Sequence, residues 1–326
     1  MRIARTAADD TLLARMSLTV VGSIAFDAVE TQTAKRDRLL GGAAVHFALA
    51  SSFLAETRVI GPVGDDFGEP EYQVLRERGV ITDDIEHVPG GRTFFWAGRY
   101  ERDVNVRHTL QTDLNVFEHF RPKLSEAAKA ADTLFLANIQ PDLQRAVREQ
   151  CEASHFSALD SMNLWIDIAH ESLLRTIKTV DCVILNDGEV RQLTDEPNLV
   201  RAARKVLAMG PRVVVAKQGE YGAAMFTRDG FFGLPAYPTE NVVDPTGAGD
   251  TFAGGFMGYV AAHDGRELTD DILRTAMAYG TAMASFNVEA FGTERMQTLT
   301  GDEIAARVAE LERISHFEAV PLPQRA

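Results

Sequence analysis

Residues 244–256 read DPTGAGDTFAGGF: four glycines and two aspartates within thirteen residues, directly behind the apolar pair Val242 and Val243. Small residues at such a bend let successive backbone N–H groups point at one spot. The pattern predicts a helix over residues 250–262, entered from an apolar, strand-like run at 241–243. The N-terminus of that helix adds partial positive charge, so the bend at Gly247, Ala248 and Gly249 suits an anion. Asp250 then needs a task, because a carboxylate placed there would repel the anion. A general base beside a phosphate-binding turn supplies one: Asp250 takes a hydroxyl proton while the amides of residues 247–250 neutralise charge on a transferring phosphoryl group. The alternative makes Asp250 an N-cap and assigns Gly254, Gly255 and Gly258 to close approach of helix and sheet. Mid-helix glycine costs about 1 kcal/mol, so some gain must offset it.

Working outward, short apolar and largely β-branched runs recur at residues 18–21 (LTVV), 58–60 (RVI), 133–136 (TLFL), 182–185 (CVIL) and 212–216 (RVVVA). Such runs suit strands covered on both faces. Helical patterns lie between them at 71–78, 143–152, 199–209 and 270–286. The alternation predicts an α/β fold: a mainly parallel central sheet with helices on both faces, and ligands at the carboxyl ends of the strands. Residues 90–115 break the rhythm, with strand-like 92–100 and 104–112 joined by a turn at Arg102 and Asp103. This predicts a small antiparallel β flap, joined by residues 26–33 and attached to the main sheet. No linker, repeat or low-complexity tract interrupts the chain, so one domain over 17–326, preceded by a flexible leader at 1–16, is expected.

Bulk properties remove several function classes. Lys and Arg total 33 against 47 Asp and Glu, a formal charge of −14, and no basic run offsets it, so nucleic-acid binding is not expected. No apolar run approaches the ~20 residues that cross a bilayer. Two cysteines exclude a disulfide framework and fit a reducing, cytoplasmic setting.

DPTGAGDTFAGGF resembles the C-terminal signature of the ribokinase-like (PfkB) carbohydrate kinases. Residues 39–70, LLGGAAVHFALASSFLAETRVIGPVGDDFGEP, resemble that family's N-terminal signature, in the right order. The resemblance runs from about residue 18 to about 292 and implies transfer of the γ-phosphoryl group of ATP, with Mg2+, to a primary hydroxyl of a sugar or nucleoside. It further implies that Asp27, closing the GSIAFD element, forms the acceptor pocket floor with Gly41 and Gly42; alone, Asp27 would read as a turn residue beside a glycine bend. Asn186 and Glu189 match the family's N-x-x-E element, associated with magnesium held largely through water; the plain reading is a helix start with a capping box. Lys217, Gly219 and Gly222 in KQGEYG resemble the nucleotide-contacting turn, although an exposed lysine is commonly just solvated. Gly280 and Phe291 fall where the family encloses adenine, and Asp244 and Thr246 where some members hold a monovalent cation such as K+.

Two departures stand out. His46 occupies the last position of GG-x-x-x-N, where the resemblance implies a substrate contact, replacing fixed amide geometry with a ring of variable protonation. Pro245 replaces the more frequent Thr. Under the resemblance the flap, at about 26–38 and 90–115, becomes a lid. Phe94, Trp96 and Tyr100 alternate along its first strand, giving rings on one face that would cover a sugar, stack on a base or form a homodimer contact. Trp96 is the expected substrate neighbour. Rival folds lack their marks: no G-x-G-x-x-G follows the first strand, no Gly-Lys pair exists for a P-loop, and the eight histidines have no metal spacing. A non-catalytic sugar- or nucleotide-sensing module is the alternative from another class.

Overall fold

The computed structural model describes residues 17–32, 34–263 and 268–318; the expected leader at 1–16 lies outside them. Thirteen strands follow in chain order: β1 (Ser17–Val21), β2 (Ala25–Glu30), β3 (Lys35–Gly41), β4 (Glu56–Val63), β5 (Ile85–His87), β6 (Phe94–Tyr100), β7 (Arg107–Asp113), β8 (Thr133–Leu136), β9 (Phe156–Leu159), β10 (Cys182–Asn186), β11 (Val213–Lys217), β12 (Ala223–Thr227) and β13 (Phe231–Leu234). Nine form one sheet in the order β13-β12-β11-β10-β9-β8-β1-β4-β5. The seven from β11 to β5 run parallel, and β12 is antiparallel to both its neighbours.

The apolar runs work as expected for a sheet covered on both faces. Along β11, Val213 and Val215 join one buried cluster while Val214 and Ala216 join the other; in β10, Ile184 lies opposite Val183 and Leu185 in the same way. Period-two alternation therefore sends every second side chain into each of two cores. The helices Ala43–Ser51, Ala248–Ala261 and Asp270–Asn287 cover the first face, and Pro141–Gln150, His170–Ile177 and Leu199–Met209 cover the second.

The remaining strands form the lid, in the order β3-β2-β6-β7. Its outer pairings are antiparallel, while β2 and β6 run parallel. Both of these strands leave the main sheet at the carboxyl ends of parallel strands, β1 and β5, and so set off in the same direction. The lid strands differ somewhat from expectation: β3 continues to Gly41, and β7 starts at Arg107 because residues 101–106 form a longer turn.

Helix positions match the sequence patterns closely, Leu199–Met209 in full. The run at 241–243 does not form a strand. It lies irregularly after β13 and is held by Val243 N–H and Asp244 N–H donating to the Val288 carbonyl. No described helix is long and apolar enough to cross a membrane.

Candidate active site

The helix Ala248–Ala261 begins two residues earlier than the pattern predicted, which puts Asp250 in its first turn. Gly247 caps it with φ 75°, a left-handed conformation that favours glycine. Ala248 N–H already donates to the Pro245 carbonyl at 3.2 Å. The neighbouring N–H groups of Gly247 and Gly249 remain at the positive end of the helix, where a phosphate would lie, while the Asp250 N–H donates to its own carboxylate.

Lys217, the last residue of β11, stands over this turn. A Cβ on Gly249 would fall 3.0 Å from Lys217 Nζ. Nζ pairs at 3.0 Å with Asp160 Oδ2, one residue beyond β9 and nearly buried. Burial opposes the lysine's charge, but Asp160, Glu189 and Asp250 outweigh it and raise its pKa. The same acids repel one another. Burial, followed by the Asp160 charge, pushes Asp250 up to about 7, with Lys217 and Arg107 opposing. Glu189 is likewise pushed up to about 7 by burial and then by Asp160.

Asn186 and Glu189 form the capping box that the plain reading anticipated. Asn186 Oδ1 accepts from Glu189 N–H, and Glu189 Oε2 accepts from Asn186 N–H, both at 2.8 Å. Glu189 nevertheless feels Asp160 and Lys217, so its carboxylate belongs to the cleft as well as to the helix end. Asn186 pairs with Lys217 in the β10–β11 register, which brings the two sequence elements side by side.

The acceptor side is built from the two chain segments expected to meet there. Asp27 on β2 is 6 % exposed and lies so close to Gly41 that a Cβ there would fall 2.0 Å from Asp27 Oδ2. Gly42, with φ 95°, caps the helix Ala43–Ser51, and its N–H bonds to the Asp27 carboxylate. Burial, then the charges of Asp244 and Asp250, push Asp27 up to about 7. Asp27 and Asp250 therefore share one cleft. Trp96 pairs with Asp27 across β2 and β6, and its indole lies over Gly98, where a Cβ would fall 2.1 Å from the ring. Tyr100 donates to or accepts from Thr246 Oγ1 at 3.0 Å, joining the lid to the anion turn. The three lid rings do not form one patch: Phe94 stacks on Phe117, whereas Trp96 and Tyr100 join Val29, Leu39 and Phe291.

One expectation, His46 as a substrate contact, needs correction, and two further residues show a packing role. His46 is 1 % exposed and does not line the cleft; its ring packs under Gly247, with Nδ1 3.1 Å from Asn287 Oδ1. Burial lowers its pKa, leaving a neutral ring whose Nδ1–H donates to Asn287. Gly280 is buried between helices, since a Cβ on it would fall 2.8 Å from the Phe252 carbonyl oxygen, so it packs Asp270–Asn287 closely against Ala248–Ala261. Phe291 packs beneath the lid, with Arg36 over its ring. In the nucleotide turn, Gly219 faces the lid tip at Asn105, while Gly222 (φ 101°) passes against the Leu234 carbonyl. Asp244 is fully buried; its oxygens accept from Thr246 N–H and Gly292 N–H, each at 2.9 Å.

Asp160, Asn287 and Arg107 escaped the sequence reading. Asn287 accepts from Thr251 Oγ1 at 3.0 Å and donates to the Thr246 carbonyl at 2.8 Å, which fixes the anion turn from behind. Asp160 had a legible signal, an acid directly after the apolar run 156–159, but that run lacks β-branched residues.

Residues 15–299 match the family described as pfkB family carbohydrate kinase. A nucleoside kinase of Methanothermobacter thermautotrophicus is 27 % identical, covering 90 % of this chain and 96 % of that protein. A ribokinase of Lactococcus lactis is 26 % identical, covering 83 % of this chain and 86 % of its own length. Among solved structures, the Burkholderia thailandensis nucleoside kinase in complex with inosine superposes with a TM-score of 0.76 at 22 % identity, over 90 % of this chain and 97 % of that one. This last likeness supports the ribokinase-like fold.

Proposed function

The chain belongs to the pfkB family of carbohydrate kinases and is a phosphotransferase; on that footing we propose that it moves the γ-phosphoryl group of ATP to a primary hydroxyl of a small carbohydrate. Residues 17–326 would act as one kinase domain, with a lid drawn from about 26–38 and 90–115. The observation that carries this reading is the conjunction at one turn of a left-handed Gly247, an acid with its pKa near 7, and the Lys217 ammonium against Gly249.

In this mechanism Asp27, with Gly41 and Gly42, holds the acceptor hydroxyls. Asp250 takes the proton of the reacting hydroxyl; its oxygen forms the new bond to the γ-phosphorus as the bond to the ADP oxygen breaks. The N–H groups of Gly247 and Gly249 and the Lys217 ammonium stabilise the equatorial oxygens in flight. Lid closure excludes water. The oxygen donors Asp160, Glu189 and Asp250 outnumber the lysine among them, a set that suits a hard divalent cation. Among the described residues no three His, Cys, Asp or Glu side chains converge to encage a metal. Magnesium keeping most of its water fits that arrangement, with Glu189 and Asp160 as outer partners, and would supply charge neutralisation on the phosphates.

A potassium ion behind the turn fits the same reading, because Asp244 is buried with no ion pair among the described residues. A cytoplasmic enzyme agrees with two free, buried cysteines. A homodimer through the lid agrees with β7, an edge strand exposed along its whole length with Leu110 56 % exposed.

A nucleoside acceptor is the second reading. It is favoured by the indole of Trp96 beside Asp27, a surface on which a base stacks, and by relatives named as nucleoside and cytidine kinases. The test is ADP formation by the purified protein with ribose, fructose, inosine and cytidine. Acceptor-dependent ADP supports the kinase reading and its identity chooses the class; ATP bound but consumed with none of them supports a sensing module instead.

A further inference from the structure

The lid carries an arginine that neither the family match nor the sequence motifs single out. Strands β6 and β7 pair Ala97 with Gln111 but Gly98 with Thr109, so Leu110 is an extra residue, a bulge in the outer strand. The slip decides which side chain meets the cleft. Without it the register would set His108 opposite Tyr100; with it Arg107 is the partner. Residues opposite each other in an antiparallel pair share a face, so the bulge turns Arg107 onto the face of Trp96, Gly98 and Tyr100. Bulges beside active sites commonly re-aim a side chain in this way.

That face looks into the phosphoryl-transfer cleft. Tyr100 bonds Thr246 in the anion turn, and the Arg107 guanidinium carbon sits 5.4 Å from the centre of the Trp96 ring. At the lid tip, Asn105 Oδ1 lies 3.2 Å from where a Cβ on Gly219 would be, so the hairpin bridges from the acceptor side to the nucleotide turn. His108, displaced to the outer face, pairs with Glu101 at 2.6 Å. Arg107 has no ion pair within 4 Å among the described residues, yet its charge reaches both Asp250 and Glu189, which stand on separate helices.

We infer that Arg107 is a further catalytic residue, carried by the lid, whose guanidinium donates hydrogen bonds to the non-bridging oxygens of the γ-phosphoryl group as it passes to the acceptor. The inference rests on the kinase reading. The arginine's planar fork matches phosphate oxygens, and its charge complements Lys217, which approaches from the opposite, sheet side. No bond to Arg107 forms or breaks; it stabilises charge while the lid is shut. An arginine carried on the lid would also tie full catalysis to closure, so an open lid would leave bound ATP less exposed to hydrolysis.

The test compares Arg107→Ala and Arg107→Lys with wild type, using whichever of ribose, fructose, inosine and cytidine the wild type turns over fastest. We expect kcat to fall by roughly a hundredfold or more in the alanine variant, with KM values and Tm little changed because the side chain is exposed. Arg107→Lys should recover only part of the loss, and millimolar guanidinium chloride should restore activity to Arg107→Ala but add nothing to wild type. A kcat within about threefold of wild type would overturn the inference, as would a loss seen only in KM or one that guanidinium leaves untouched. If wild type turns over none of the four acceptors, the failure lies in the kinase reading, and the inference falls with it.

Discussion

The imidazole of His46 lies directly beneath Gly247: a Cβ on that glycine would fall 2.4 Å from the Cγ, Nδ1 and Cε1 atoms of the ring. The N-terminal and C-terminal signatures, about two hundred residues apart, thus meet as a ring and the turn it supports. Asn287 completes the support by joining the ring to the Thr246 carbonyl. Gly247→Ala should therefore fail for two separable reasons, left-handed strain of about 1–3 kcal/mol and collision with the ring. Turnover should drop by roughly tenfold or more. Adding His46→Ala should recover part of that loss by removing the ring alone, as steady-state kinetics of the single and double variants would reveal.

The acids of the cleft set the pH dependence. Asp250 works as a base only when ionised, and its pKa is pushed up to about 7 by burial and by Asp160. Activity should hence fall as pH drops below about 7, by at least tenfold per unit well below it, because Glu189 and Asp27 protonate over the same range. A kcat/KM profile flat down to pH 5 would be at odds with this.

Asp27 offers a stability counterpart. Its folded pKa, about 7, lies above the ordinary aspartate value of 3.8, so the folded state binds its proton more tightly than the unfolded chain does. That contribution is full below the unfolded pKa and is lost as pH rises through the folded one. Asp27→Asn, which cannot ionise, should raise Tm at pH 8 and do so less at pH 5, while weakening acceptor binding at both. Thermal melts at the two pH values, with and without acceptor, check the sign.

Glu189 has two roles that conservative substitution separates. Glutamine also completes a capping box, so Glu189→Gln should keep Tm close to wild type while lowering turnover and raising the magnesium concentration needed for half-maximal rate. Glu189→Ala should lose both, with stability reduced by about 1 kcal/mol. Melting curves and magnesium titrations of the two variants distinguish the roles.

Much of this architecture was legible because it depends on short-range patterns. Val213 to Val215 read as a strand buried on both faces since each residue is β-branched, and Gly247 read as part of a tight bend, which its left-handed φ of 75° bears out. What escaped depends on partners distant in the chain. Phe156–Leu159 gave no β-branched signal, and Asp160 went unnoticed with it. His46 resembled a substrate ligand in sequence, but its burial follows from a contact with Asn287, 241 residues away. Gly280 falls where the resemblance encloses adenine, but its close packing against Phe252 of the helix Ala248–Ala261 is a contact between helices that no local pattern announces. The orientation of Arg107 rests on one bulged residue, which no periodicity announces.

The base assignment of Asp250 is the centre of the account, and the most direct measurement is single-turnover phosphoryl transfer by Asp250→Asn beside wild type, with binding of a nonhydrolysable ATP analogue measured on the same samples. The account predicts a rate lower by at least about a hundredfold, with analogue affinity and folding preserved. Transfer within about threefold of wild type would contradict it and take the acid at the head of that helix out of the chemistry.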